Sequence, residues 1–278
     1  MFAALLLLCG CTRLHQPPLT TQLPLFAVLA DVQYGDKDTE GARHYRTALR
    51  KLEECVGDLA QRDLAFVVQL GDIVEGYEED PAKGAADLDV VLRVLDRQQA
   101  PVYHVLGNHC LRVGKETLRQ RYGLERFYYD FTVGAAPGWR FVVLDGNDAG
   151  YGVVSEKQLA WFRAVLARAA ARHEQVICFC HFALLKEAAR DHRMAQPEPL
   201  LEALDRAGCV VAWFAGHDHA GGYTVRNGVH HVTVTGMVEA PDENAYAFVE
   251  LHPAHLREIG VGKEPSRPKM DCPSGSRR

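Results

Sequence analysis

Eight side chains of the types that hold hard metal ions each follow closely on a short apolar run of this 278-residue chain. Leu25–Ala30 leads into Asp31-Val-Gln33, and Phe66–Leu70 into Gly71-Asp72. Pro101–Leu106 leads into Gly107-Asn108-His109, Val176–Cys180 into His181, and Val210–Phe214 into Gly216-His217-Asp218-His219. Carboxylates, amide oxygens and imidazoles suit Mn, Fe, Zn or Mg rather than an ion that demands thiolates. In an open α/β sheet the carboxyl ends of parallel strands share one crevice, so five strand ends would deliver all eight side chains to one place.

Taken singly, each motif has a plainer explanation. Gly-Asp after a strand is a common turn. Asp31-x-Gln33 suits the entry to a helix, Gly-Asn-His suits a polar turn, and paired surface histidines are ordinary. Their joint occurrence, each at the end of an apolar run, is what chance does not supply.

The elements that must position these residues read as strand–helix alternation. The apolar runs above, with Arg140–Leu144, are buried strands. A helix is predicted over 41–62, with Tyr45, Leu49, Leu52, Val56, Leu59 and Ala60 on one face at 3.6 spacing. Further helices are predicted over Ala85–Arg97, Ser155–Ala171 and Pro199–Ala207, and Ser155 with Gln158 forms a capping-box pattern. Asn227-Gly228 between two alternating runs is a hairpin signal. Ala247–Leu251 and Leu256–Val261 complete a last third that reads as antiparallel sheet. The pattern predicts a layered α/β (α+β) sandwich in one domain over 25–267. Residues 1–24 read as a leader and the polar residues 268–278 as a disordered tail.

Composition narrows the function classes. A net charge of −5 gives no electrostatic footprint for nucleic acid, so a phosphate-bearing ligand must be held by local charge. Eight cysteines are too dilute for a disulfide scaffold, and Cys178, Cys180 and Cys209 fall inside apolar runs. A reducing, cytoplasmic setting and a monomer are expected. Phe2–Leu8 is too short to span a bilayer, which needs about 20 residues. Two readings of the N-terminus stand: a plain leader before the proline-rich stretch Gln16–Pro24, or a lipoprotein signal. In the second, Leu8-Cys9-Gly10-Cys11 is a lipobox, and Cys11 would tether a secreted or membrane-anchored protein.

In their order, Asp-x-Gln, Gly-Asp, Gly-Asn-His, a lone His and Gly-His-x-His resemble the calcineurin-like metallophosphoesterase superfamily. Gln69–Gly76, Ser155-x-x-Gln158-Leu-x-Trp161, Gly216–Tyr223 and Gly228–Gly236 are similar to one branch, the manganese-dependent ADP-ribose/CDP-alcohol diphosphatases, in which Gln replaces the first motif's usual His. The resemblance implies a four-layer sandwich, two mixed β-sheets flanked by helices. It implies two divalent ions, Mn foremost and Fe, Mg or Zn as alternatives. Asp72 would bridge them, with Asp31, Gln33 and His219 completing one site and Asn108, His181 and His217 the other. His109 would stabilise or protonate the leaving group as hydroxide attacks phosphorus, or else only orient Asp72 or a water. The implied substrates are NDP-X compounds, cleaved at the phosphoanhydride.

Alternatives within the superfamily are a cyclic-nucleotide phosphodiesterase or a phosphomonoesterase. A non-catalytic scaffold is the alternative from another class. Arg43 could reach a phosphate or merely sit on a solvated helix face, and Tyr34 and Tyr223 could stack on a base or simply pack. His230 and His231 read as structural. Glu75 stands where the branch usually has Asp and is not a ligand in the family.

Overall fold

The computed structural model describes residues 23–188 and 190–273. The readings of the leader up to residue 22, including Cys11, and of residues 274–278 lie outside the described residues.

The first sheet has the order β12-β11-β10-β1-β2-β3. Its strands are β1 (Leu25–Leu29), β2 (Phe66–Gln69), β3 (Val102–His104), β10 (Ala245–Leu251), β11 (His255–Gly262) and β12 (Arg267–Asp271). The second has the order β4-β5-β6-β7-β9-β8. It comprises β4 (Tyr129–Phe131), β5 (Trp139–Val143), β6 (Gln175–Phe179), β7 (Val210–Ala215), β8 (Gly222–Arg226) and β9 (Val229–Thr233). The central strands β1-β2-β3 and β5-β6-β7-β9 pair in parallel within their sheets. Of these, β1, β2, β6 and β7 are nearly continuous apolar runs because both of their faces are covered.

An aromatic layer joins the two sheets. Phe26 stacks on Phe66 at 4.7 Å, and Phe66 meets Phe141 of the facing sheet at 4.6 Å between centroids. Phe179 and Phe214 close on Phe26 edge-on. Outside the first sheet lie α1 (Tyr45–Leu59) and α2 (Pro81–Leu95), whose Leu52, Val56, Leu88 and Val91 pack with Ala27, Leu29 and Val67. Outside the second lie α4 (Glu156–Ala171) and α5 (Glu198–Ala207), whose Phe162, Val165, Leu200 and Leu204 pack with Val142, Cys178 and Trp213. The result is the four-layer sandwich, helix–sheet–sheet–helix.

Departures from the sequence reading have local causes. Helix α2 begins at Pro81 rather than Ala85, because Asp80 caps it by accepting from the Lys83 N–H (3.0 Å). Helix α3 (Lys115–Tyr122) and strand β4 are short and polar enough to leave no periodic signal. On α1 the buried face includes Lys51, whereas Ala60 is exposed at the C-terminal cap. Ser155 does cap α4, accepting from Gln158 N–H at 3.1 Å. The Gln158 side chain, however, exchanges hydrogen bonds with the backbone of Asp145 instead of reaching back to Ser155. Asn227-Gly228 turns the predicted hairpin, both residues with positive φ. That hairpin joins the second sheet, with β9 parallel to β7, while β10, β11 and β12 complete the first, so the last third does not form one antiparallel sheet.

Strand β12 corrects the tail expected from residue 268. It pairs with β11 as an edge strand, Pro268 needs no ladder hydrogen bond there, and Met270 is fully buried. One apolar residue among polar neighbours was too little periodicity to read. Among the described residues no helix is long and apolar enough to cross a membrane. Replacing Met270 with Ala should cost about 2–5 kcal/mol of unfolding free energy, whereas Lys269→Ala, on the exposed face, should stay within about 0.5 kcal/mol. Urea titration of the two variants is the check.

Candidate metal centre

The carboxyl ends of β1, β2 and β3 meet those of β6 and β7 across the sandwich. Four residues at these ends hold left-handed backbone: Asp31 (φ 51°), Gln33 (φ 42°), Asp72 (φ 48°) and His217 (φ 68°). Each such residue costs about 1–3 kcal/mol and persists only where its surroundings over-determine it. Here they do, since Asp31 N–H donates to Gly71 O (3.2 Å) and Gln33 N–H to Asp72 O (2.7 Å). The motif glycines follow from crowding. A Cβ on Gly107 would lie 2.1 Å from Asp72 Oδ1, and one on Gly216 would lie 2.6 Å from Asp31 Oδ2.

Each carboxylate is half tied and half free. Asp72 Oδ1 accepts from the backbone N–H of His109 (2.7 Å) and of Cys110 (3.4 Å). Its Oδ2 is buried without a hydrogen bond, 3.1 Å from His181 Nε2. Asp31 Oδ2 accepts from His217 N–H (2.8 Å), while Oδ1 is likewise unbonded, 3.5 Å from His219 Nε2. Gln33 is fully buried, and neither atom of its amide has a partner. Buried polar atoms are rarely left so in a native protein, and atoms that serve as metal ligands are one kind that is.

The imidazoles are aimed from behind. His181 Nδ1 is 2.8 Å from Leu70 O, turning Nε2 towards Asp72 and Asn108 Oδ1 (3.1 Å). The Tyr151 hydroxyl takes His217 Nε2 at 2.6 Å and leaves Nδ1 for other work. Glu239 Oε1 holds His219 Nδ1 at 3.0 Å. Ligand atoms of Asp72, His181 and His217 lie within 4.8 Å of one another. Such outer partners fix the ring orientation of metal-binding histidines.

The electrostatics ask for positive charge. Burial works against ionising Asp72 and Asp31, yet His181 holds Asp72 well below the ordinary carboxylate range and His219 lowers Asp31. Burial would push His181 down, but Asp72 raises it to about 9. His217, buried beside His181, is pushed down to about 4. Two buried ionised acids with unbonded oxygens, faced by imidazole nitrogens, form a donor set that fits divalent cations of intermediate hardness.

His109 sits beside the cluster, its Nδ1 2.8 Å from Glu75 Oε2. Glu75 is buried and also receives Lys37 (3.1 Å) and Arg112 (3.0 Å), and His109 and Lys37 outweigh burial and keep its carboxyl below the usual range. Arg43 pairs through its backbone with Glu239, and its charge bears on His219. Tyr34 packs against the apolar cluster that α1 and α2 share with the first sheet, and burial, with the charges of Asp87 and Asp36, raises the pKa of its hydroxyl. Tyr223 bonds His230 Nδ1 through its hydroxyl (2.7 Å) and, with His219, Glu239, Lys263 and Arg267, lines a cleft of about 570 Å³. His230 also reaches Asp271 O, consistent with a structural role. Tyr151 and Glu239 carried no motif, and their parts appear only once the chain is folded.

Two sheets whose parallel strands converge on carboxylates, amides and imidazoles define a class of metal-dependent hydrolase. The calcineurin-like phosphoesterase profile matches residues 24–221, and the chain belongs to that family. It is 30% identical to a manganese-dependent ADP-ribose/CDP-alcohol diphosphatase of Oryza sativa subsp. japonica, over 86% of this chain and 91% of that one. The human protein of the same name is 26% identical over 87% and 91%. A crystal structure of a dimetal phosphatase from Danio rerio superposes with a TM-score of 0.83 at 25% identity, covering 90% of this chain and 99% of that one.

The crowding at Gly107 makes a test. Gly107→Ala should displace the Asp72 carboxylate and sharply lower uptake of divalent metal by the purified protein, measured by elemental analysis. Gly57→Ala, in the open on α1, should leave metal content unchanged.

Proposed function

We propose that this protein is a dinuclear-metal phosphohydrolase that splits the phosphoanhydride of NDP-X compounds such as ADP-ribose and CDP-alcohols, releasing a nucleoside monophosphate and X-phosphate. The observation that carries it is the pair of buried carboxylates, Asp31 and Asp72, each with one oxygen anchored to backbone N–H and the other unbonded beside an imidazole. In this reading Asp31, Gln33, Asp72 and His219 hold one ion, and Asp72, Asn108, His181 and His217 the other. Manganese is the ion of choice, because Gln33 offers a neutral oxygen where a histidine would offer nitrogen. The relatives' names, over most of the chain's length, support both the metal and the substrate class.

When bound, the ions supply Lewis-acid charge and an activated water. The chain's own residues do the rest. Glu75 orients His109 through Nδ1, leaving Nε2–H to donate to the departing phosphate oxygen as the P–O bond lengthens. Arg43, whose charge bears on His219, would bind a non-bridging phosphate oxygen. The cleft beyond His219 takes the part of the substrate that does not react, with the exposed Tyr223 ring as one wall.

A substrate panel with Mn(II) in oxygen-18 water tests the reading. ADP-ribose or CDP-choline should turn over, with solvent oxygen in only one of the two products. Turnover of cyclic nucleotides or monoesters with NDP-X compounds untouched would move the protein to the alternative specificity. No hydrolysis of any of them would revive the scaffold reading.

A further inference from the structure

Helix α1 turns a lysine inward. Lys51 is 1% exposed, and its ammonium donates to the carbonyls of Met237, Glu239 (3.1 Å) and Ala240 (2.7 Å). An ammonium has three N–H donors, and all three are spent on one four-residue segment. For three carbonyls of 237–240 to face one point the backbone must wrap around it, and Ala240 takes left-handed backbone (φ 62°) to do so. Burial, with Lys263 and Arg50 nearby, lowers Lys51 to about 8, so it remains charged at neutral pH.

The same segment braces one half of the candidate centre. Met237 N–H donates to Ala30 O (3.0 Å) and Val238 N–H to Asp31 O (2.9 Å), pinning the backbone that carries Asp31 and leads to Gln33. The Glu239 carboxylate aims His219. The other half is braced elsewhere, His181 by Leu70 O and His217 by Tyr151.

We propose that Lys51 is a positioning residue that sets the metal affinity of the Asp31/Gln33/His219 half of the centre and leaves the Asn108/His181/His217 half unaffected. The route is from the ammonium to the 237–240 carbonyls, then through Glu239 to His219 and through Val238 to Asp31. The proposal rests on the dinuclear reading above.

The test is titration of metal-free protein with Mn(II), following free Mn(II) by electron paramagnetic resonance, so that no activity is needed. Lys51→Met keeps the length and apolar contacts of the side chain and drops the charge. One of the two affinities should fall about 10–100-fold, as loss of an outer partner of a metal ligand does, and the other should stay within about twofold. The weakened site must be the one weakened by Gln33→Ala, and Glu239→Gln should weaken the same site. Equal loss at both sites, no loss at either, or loss at the site insensitive to Gln33→Ala overturns the proposal. If Lys51→Met does not fold, Lys51→Arg, which keeps the charge but changes the donor geometry, is judged by the same three outcomes. Wild-type protein that takes up no Mn(II) sinks the dinuclear reading as well, whereas two intact sites indifferent to Lys51 sink only this inference.

Discussion

Asp72 has no exposed surface, yet one oxygen of its carboxylate is left without a hydrogen bond in the middle of the sandwich. A buried, ionised, half-satisfied carboxylate is among the costlier things a fold can contain. Much of the surrounding structure reads as compensation. The 108–110 turn donates two backbone N–H groups to Oδ1, and His181 comes from the opposite sheet to face Oδ2. Asp31 repeats the arrangement against His217 and His219. The two sheets are therefore joined at their carboxyl ends by charge and in their middle by aromatic packing.

That joint explains the unusual backbone. Bringing five strand ends within reach of one or two ions leaves no room for regular turns, so Asp31, Gln33, Asp72 and His217 adopt left-handed conformations. Gly107 and Gly216 let another strand end approach within van der Waals contact of the carboxylates. The strain is held by rigid neighbours, chiefly the Phe26–Phe66–Phe141 aromatic cluster and the ladder of parallel strands below the site. Function and stability pull in opposite directions here, as they do wherever a site stores strain.

The centre was legible because its chemistry is punctuated. The runs that lead into the site are largely apolar, and a polar residue at their ends has to be there for something, so Asp31, Asp72, Asn108, His181, His217 and His219 stood out without any structure. The central strands and the helices that cover them were readable for the same reason of periodicity. What could not be read was whatever depends on distant chain segments meeting. Tyr151 behind His217 and Glu239 behind His219 sit in loops without pattern. Lys51 breaks the apolar face of α1 and finds its partners nearly two hundred positions away in the chain. Strand β12 hides one buried methionine in a polar stretch, and Gln158, expected to close a capping box, is claimed by Asp145 instead. Tyr34, close behind the first metal motif, packs into the apolar cluster shared by the first sheet and its helices, a contact the sequence does not show.

The central claim is that one buried carboxylate serves two ions. Metal content of purified, Mn-loaded protein tests it most directly, comparing wild type with Asp72→Asn and Asp31→Asn. The account predicts about two ions per chain in the wild type, about one in Asp31→Asn and almost none in Asp72→Asn, with all three folded by circular dichroism. Full metal content in Asp72→Asn, or equal loss in the two variants, would contradict it.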